Sequence, residues 1–325
     1  MKDRYGRTID YMRISVTDRC NLRCRYCMPD GIESLPMSDI LTLEEICTIA
    51  ECASALGIHK IKVTGGEPLV RLNCTYLVCR LKAIPGIEKV TITTNGVLLD
   101  QYLEELIDAG IDGINISLDT RDRKRFQEIT GSDCLPEVMG ILKRASDIPV
   151  PLKVNAVSLD LGRENWKGLV ELAREYPVDV RFIEMMPIGC GRQFPAMNPQ
   201  ELLAEMTEEY PGIAKDPRIH GFGPAVYYQI PGFQGSIGFI SAIHGKFCDG
   251  CNRVRLTSQG FLKTCLCYED GSDLRAIIRS GGTEADRKTR LTEVMRDTIF
   301  RKPAAHCFEQ PGQITETHRM VSIGG

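Results

Sequence analysis

The chain has 325 residues, with 40 Lys and Arg against 43 Asp and Glu and a formal net charge of -3. That balance excludes a global field able to draw nucleic acid or an anionic membrane, so an anionic ligand must be held by local cations. No apolar run approaches the roughly 20 residues that span a bilayer, and the charged start Met1-Lys2-Asp3-Arg4 reads neither as a signal peptide nor as a membrane helix.

We therefore expect a cytoplasmic protein with no nucleic-acid or membrane partner. The sequence holds 14 cysteines, which in a reducing compartment are metal ligands or small buried residues rather than disulfides. Cys47, Cys52, Cys74 and Cys79 lie singly in helix-like segments and read as buried hydrophobes.

A strand expected over residues 12–17 opens into a loop with Cys20, Cys24 and Cys27. Three thiols at spacing Cys-x3-Cys-x2-Cys suit a cubane iron–sulfur cluster, which normally takes four cysteine ligands. With three, one iron keeps an open site, which is what lets a metal do chemistry rather than brace a fold. The competing reading is zinc, which would want a fourth Cys or His.

A helix over 43–56 follows, begun by the capping box Thr42-x-x-Glu45 and ended by Gly57. A strand at 60–64 precedes Gly65-Gly66-Glu67-Pro68, where glycine lets backbone approach a ligand and proline stiffens the turn. Helices near 73–83, 99–109, 121–129, 135–146 and 165–175 then alternate with strands at 89–93, 113–118, 152–157 and 180–184. Six such units imply parallel strands covered by helices, an α/β fold forming an incomplete (βα)6 TIM-type barrel. Chemistry in such barrels gathers at the C-terminal ends of the strands.

After Gly191 proline and glycine become frequent and the apolar segments shorten to strand-like runs at 225–230, 237–240, 253–257 and 261–265. A polar helix over 284–300 and a tail with little periodicity complete the chain. The division expected is residues 1–190 as the barrel and 191–325 as a C-terminal α+β extension. That extension carries a second triad, Cys248-x2-Cys251-x13-Cys265, again one ligand short of a closed cubane. Cys267 could complete a zinc site with it, because residues two apart on a strand share a face. Arg253 and Arg255 alternate onto one strand face beside the triad, and Arg13 leans inward from the first strand; each suits an anion, or a solvated surface.

Cys-x3-Cys-x2-Cys after the first strand, Gly-Gly-Glu-Pro after the second, the second triad beside Asn252-Arg253-Val254-Arg255, and the terminal Gly324-Gly325 together resemble the GTP 3′,8-cyclases. That family belongs to the radical S-adenosylmethionine enzymes, and the resemblance runs from about Arg13 to the end. It implies two [4Fe–4S] clusters, held by Cys20, Cys24 and Cys27 and by Cys248, Cys251 and Cys265. The open iron of the first would take S-adenosylmethionine, with Tyr26, Gly66, Ser117 and Met186 contacting it; that of the second would take the guanine of GTP.

The resemblance also implies that Arg13, Lys62, Thr93, Lys153, Arg181, Arg253 and Arg255 bind GTP. Lys62 departs from the family, which carries arginine there, so a bidentate phosphate contact becomes a point charge. Arg13, Gly324 and Gly325 are implied in catalysis. The activity implied is lyase-class: a 5′-deoxyadenosyl radical takes the 3′ hydrogen of GTP and the resulting carbon radical attacks C8. The product is (8S)-3′,8-cyclo-7,8-dihydroguanosine 5′-triphosphate, with 5′-deoxyadenosine and methionine released, as the first step of molybdenum cofactor biosynthesis. An external one-electron donor and a downstream pterin synthase are the implied partners, and a homodimer stays open. The alternatives are a peptide maturase of the same superfamily with an auxiliary cluster, or a zinc-binding interaction protein.

Overall fold

This computed structural model describes residues 1–31, 35–144 and 147–323. In β1 (Tyr11–Ser15) Met12 and Ile14 are fully buried while Arg13 between them lies on the other face. The same alternation recurs in β2 (Lys60–Thr64), β3 (Lys89–Thr94), β4 (Ile114–Ser117), β5 (Leu152–Val157) and β6 (Asp179–Ile183). Ile61, Val63, Val90, Ile92, Val154 and Val180 are buried, whereas Lys62, Thr93, Asn115, Lys153 and Arg181 line a central cavity.

Six helices connect these strands: α1 (Leu43–Ala55), α2 (Cys74–Lys82), α3 (Leu99–Asp108), α4 (Arg123–Thr130), α5 (Leu135–Lys143) and α6 (Arg163–Glu175). The capping box forms, Thr42 Oγ1 accepting from the Glu45 amide at 3.1 Å and Glu45 Oε2 from the Thr42 amide at 2.8 Å. Gly57 ends the helix with φ of 91°. Cys47, Cys52 and Cys74 are buried as expected, but Cys79 is exposed: it stands on the outward side of α2, where Leu77, Val78 and Leu81 already fill the core-facing side.

Past residue 190 comes α7 (Pro199–Glu209), which the proline-rich composition disguises. Its signal was local, because Asn198 accepts from the Gln200 amide as N-cap and Pro199 occupies the first turn. Then follow β7 (Ala214–Lys215), β8 (Val226–Gln229), β9 (Ile237–Ile240), β10 (Arg253–Leu256), β11 (Phe261–Lys263), β12 (Gly271–Asp273), α8 (Leu274–Ile278) and α9 (Glu284–Phe300).

All the strands form one sheet in the order β12-β11-β10-β1-β2-β3-β4-β5-β6-β9-β8-β7. Two strands of the extension join the barrel row: β10 runs parallel to β1, placing Arg253 opposite Tyr11 and Arg255 opposite Arg13, and β9 runs parallel to β6. The edges beyond them are antiparallel, and β12 and β7 do not pair, so the barrel stays open. Helix α9 packs on α1 with Lys288 Nζ 2.9 Å from Glu51 Oε2.

A buried pair, Lys263 with Glu316, pins the tail to β11. From there the chain returns to the first cysteine loop, where Arg319 Nη1 donates to the Gly31 carbonyl at 2.7 Å. Among the described residues no helix is long and apolar enough to cross a membrane.

Candidate active site

Both cysteine triads and the cations between them line one cavity of ≈ 790 Å³. Sheet topology sets the triads apart. The Cys20, Cys24 and Cys27 loop follows β1 and so lies at the C-terminal end of the parallel strands. Cys251 comes just before β10, parallel to β1, and Cys265 just after the antiparallel β11, so the second triad lies at the N-terminal end.

The first loop is held by its neighbours' backbones. Gly66 N–H donates to the Thr17 carbonyl at 2.7 Å and Glu67 N–H to the Arg19 carbonyl at 2.8 Å. A Cβ on Gly65 would stand 2.7 Å from Thr17 O, and one on Gly66 2.3 Å from Arg19 O. The close approach that requires glycine is therefore to the cysteine loop itself. Glu67, which sequence reasoning passed over, is 1 % exposed and accepts from Leu69 N at 3.1 Å, Thr94 Oγ1 at 2.7 Å and Asn95 N at 2.6 Å.

Burial pushes the Glu67 carboxyl up to about 7 against those donors. Its ionised form therefore costs stability as pH rises from 4.5 toward 7. Glu67→Gln keeps the shape but turns a donor toward a buried amide, and should lower unfolding free energy by about 1–3 kcal/mol in a denaturant melt near neutral pH.

Tyr26 Oη donates to Asp119 Oδ2 at 2.7 Å, and Asp119 Oδ1 accepts from Val157 N at 2.8 Å. Its ring meets Phe194 edge-on with centroids 6.3 Å apart. Tyr26 is thus fixed from β4 and β5, a role for Asp119 that spacing could not disclose. Gly66, Ser117 and Met186 line the cavity with it.

The thiols suit clusters better than single ions. A tetrahedral zinc with Zn–S of about 2.3 Å draws sulfurs to roughly 3.8 Å. Among the described residues neither triad brings three ligand atoms within 4.8 Å of one another; Glu269, Glu316 and His318 do. Burial pushes Cys24 well up, with Asp119 and then the other two thiols adding to it, and burial with Cys20 pushes Cys27 to about 12, so a positive metal group would be needed to hold them as thiolates. Leu22 N approaches Cys20 Sγ at 3.4 Å and His306 N approaches Cys248 Sγ at 3.5 Å, contacts of the kind that tune sulfur ligands.

Cys267 does not complete the second triad. The strand ends at Lys263, and the Cys267 sulfur lies instead 3.3 Å from Cys307 Sγ, in a small apolar cluster with Leu266 and Phe308. What does serve the triad is Lys302, 3 % exposed, whose ammonium donates to the Arg253 carbonyl at 3.0 Å and to the Thr264 carbonyl. It ties together the two segments that carry Cys251 and Cys265. Burial would raise Cys251, but Lys302 and Arg253 outweigh it and hold that thiol below its usual value.

Arg13, Lys62, Lys153, Arg181, Arg253 and Arg255 all line the cavity between the triads, as does Thr93. Arg181 is aimed by two asparagines, Nε donating to Asn155 Oδ1 at 2.8 Å and Nη2 to Asn115 Oδ1 at 2.5 Å. Gly238 makes room, since a Cβ there would stand 3.0 Å from Arg181 Cγ. Arg253 Nε is buried and has no hydrogen-bond partner among the described residues. Burial, then mutual repulsion, lowers Arg13 to about 10, Arg255 to about 9 and Lys62 well below 10.5. Such a cluster is preorganised for a polyanion. Gly324 and Gly325 lie outside the described residues; Met320 and Val321 just before them line the cavity.

Two family profiles match the chain. The Radical SAM superfamily profile matches residues 14–176, and the Molybdenum Cofactor Synthesis C profile residues 178–308. A GTP 3′,8-cyclase of Clostridium perfringens (strain 13 / Type A) is 40% identical over 327 residues, covering 100% of both chains. The chain belongs to the GTP 3′,8-cyclase family. A second member, from Moorella thermoacetica (strain ATCC 39073 / JCM 9320), is 39% identical over 333 residues with 100% of both chains covered.

The fold recurs in Streptococcus suis SuiB, solved bound to S-adenosylmethionine, at TM-score 0.64 and 16% identity over 90% of this chain and 67% of that one. The likeness is one of fold, and with 90% of this chain covered it reaches beyond the barrel strands.

Proposed function

We propose that this chain converts GTP to (8S)-3′,8-cyclo-7,8-dihydroguanosine 5′-triphosphate with S-adenosylmethionine, the first step of molybdenum cofactor biosynthesis. The observation that carries this reading is one cavity with a thiol triad at each end and six mutually repelling cations between. When bound, a [4Fe–4S] cluster at Cys20, Cys24 and Cys27 and S-adenosylmethionine supply the 5′-deoxyadenosyl radical that takes the 3′ hydrogen. A second cluster at Cys248, Cys251 and Cys265 would hold the guanine.

The chain's own part is positional. Arg13, Lys62, Lys153, Arg181, Arg253 and Arg255 neutralise the triphosphate, and Thr93 adds a hydroxyl to the same wall. Tyr26, Ser117, Met186 and the Gly66 backbone shape the S-adenosylmethionine side, with Tyr26 steadied by Asp119. Arg13 lies one strand from Arg255 and one from Lys62, a central place from which it would serve the step after C3′ joins C8, when the resulting aminyl radical takes up an electron and a proton. The overall reaction takes two electrons, one to cleave S-adenosylmethionine and one, with a proton, to reduce the aminyl radical left once C3′ has joined C8; an external one-electron donor would serve it, and a pterin synthase would take the product. Oxygen-labile clusters and a low-potential electron suit a cytoplasmic setting.

Anaerobic reconstitution with iron and sulfide, then incubation with S-adenosylmethionine, dithionite and GTP, tests the assignment. About eight irons per chain and a GTP-dependent cyclic product are expected. About four irons, bound zinc, or indifference to GTP would reject it.

The tail offers a separate check. Met320 and Val321 sit on the cavity wall, and we propose a part in catalysis for Gly324 and Gly325. Deleting both should leave iron content and S-adenosylmethionine cleavage intact and cut product formation by roughly tenfold or more, the scale of one lost positioning contact. Undiminished turnover would remove the tail from the mechanism.

A further inference from the structure

The connection from β7 to β8 crosses the N-terminal end of the barrel, although two antiparallel strands need only a few residues to turn. His220, Gly221 and Phe222 line the cavity there beside Lys89, Pro151 and Pro177, which stand at the starts of β3, β5 and β6. Asp216 fastens the crossing from within. Its side chain is fully buried and accepts from Ser236 Oγ at 2.6 Å and Arg218 Nη2 at 2.7 Å, with His220 Nε2 at 2.9 Å.

The other ring nitrogen of His220 lies 2.9 Å from Asp179 Oδ2, and the ring stacks on Tyr227 at 4.1 Å. Lys153 joins the same arrangement. Its ammonium is 3.0 Å from Asp179 Oδ2, donates to the His220 carbonyl, and lies 3.3 Å from the Tyr227 hydroxyl. Farther along, the Phe222 ring sits 4.9 Å from Lys60 Nζ, which is itself paired with Asp10 at 2.6 Å.

Lys153 is thus the cavity cation whose position this crossing dictates. Behind it stand the carboxylates of Asp179 and Asp216, so an anion pushed past Lys153 would meet negative charge in a poorly screened interior. We propose that residues 217–224 are the floor of the nucleotide cavity, and that His220 is a positioning residue which, by setting Lys153, determines how many phosphates the site accepts. The inference rests on the reading of this cavity as a GTP site. It adds a specificity determinant outside the cation set itself, supplied by a loop that carries no cysteine of either triad.

The reconstituted enzyme is assayed with GTP, GDP and GMP for kcat and KM, and each nucleotide's Kd is measured by equilibrium dialysis without reductant. Wild type should prefer GTP. His220→Ala should raise the KM and Kd for GTP roughly tenfold, the scale of one misplaced charged contact, with kcat within about twofold. Its preference for GTP over GDP should fall by a similar factor. His220→Gln, whose amide reaches one carboxylate, should recover part of that preference. Phe222→Ala, which trims a part-exposed ring at the edge of the loop, should shift the preference in the same direction by less.

Equal losses for GTP and GDP, or a fall in kcat at unchanged KM, would make the loop a brace and overturn the proposal. If wild type turns over no guanine nucleotide, the functional reading fails and the floor with it.

Discussion

Cys251→Ala should halve the iron of the reconstituted protein, from about eight to about four atoms per chain, while reductive cleavage of S-adenosylmethionine continues. The two triads are at opposite ends of the strands and share no residue, so losing one does not open the other. Product from GTP should nonetheless vanish, because the guanine would have no iron to meet and the 3′ carbon would no longer be presented. Cys24→Ala should give the mirror result: about four irons again, with 5′-deoxyadenosine formation and cyclisation both lost. Iron counting, 5′-deoxyadenosine chromatography and product analysis on the two variants separate the roles. Normal cyclisation by Cys251→Ala would exclude the second cluster from the reaction.

The choice of Cys251 rather than Cys248 is deliberate. Cys248 is buried and its sulfur accepts from the His306 amide at 3.5 Å, so substitution there disturbs the segment that follows α9 as well. Cys251 is half-buried and borders the cavity. Its thiol is also the one that nearby cations hold low, with Lys302 the strongest of them. Sequence reading passes over Lys302, because nothing in its spacing links it to Cys251, 51 positions earlier (302 − 251), or to Cys265, 37 earlier (302 − 265).

That contrast marks what the sequence can carry. Features set by neighbours in the chain were legible: the capping box at Thr42, the strand Lys60–Thr64, the helix Glu284–Phe300 and the paired faces of Arg253 and Arg255. Each depends on periodicity or on a reach of three residues. The parallel register that sets Arg255 opposite Arg13 joins positions far apart, and no local pattern encodes it. The same holds for Glu67 on Thr94, Asp119 on Tyr26 and Asp216 on His220, which become partners only when the sheet forms. The zinc alternative through Cys267 fails for a related reason. Its two-residue spacing from Cys265 implied a shared strand face, but the strand stops at Lys263 and the thiol turns to Cys307.

Lys62→Met should make the protein more stable and a poorer enzyme. The ammonium of Lys62 is desolvated and surrounded by Arg181, Arg13, Arg253 and Lys153, and both effects push it well below its ordinary 10.5. Below that depressed folded value the lysine is charged in both states, and the penalty is full and constant. Between the folded value and 10.5 the unfolded chain binds more protons, so stability rises with pH, and above 10.5 the penalty is gone.

Methionine keeps the length and drops the charge. The gain should be about 1 kcal/mol or more toward acidic pH, a rise in Tm of roughly 2 °C or more, and it should shrink as pH approaches 10.5. GTP should reverse the order of the two proteins. Saturating triphosphate at about 100 times Kd stabilises the parent by about 2.7 kcal/mol, and the variant lacks one of the charges that produce the binding. Loss of one charged contact is worth about 1.5–3 kcal/mol, a KM raised roughly tenfold to a hundredfold. Thermal melts with and without GTP across this pH range, with steady-state kinetics beside them, measure all of it. A less stable apo Lys62→Met would mean that the cation cluster holds the empty barrel together rather than straining it.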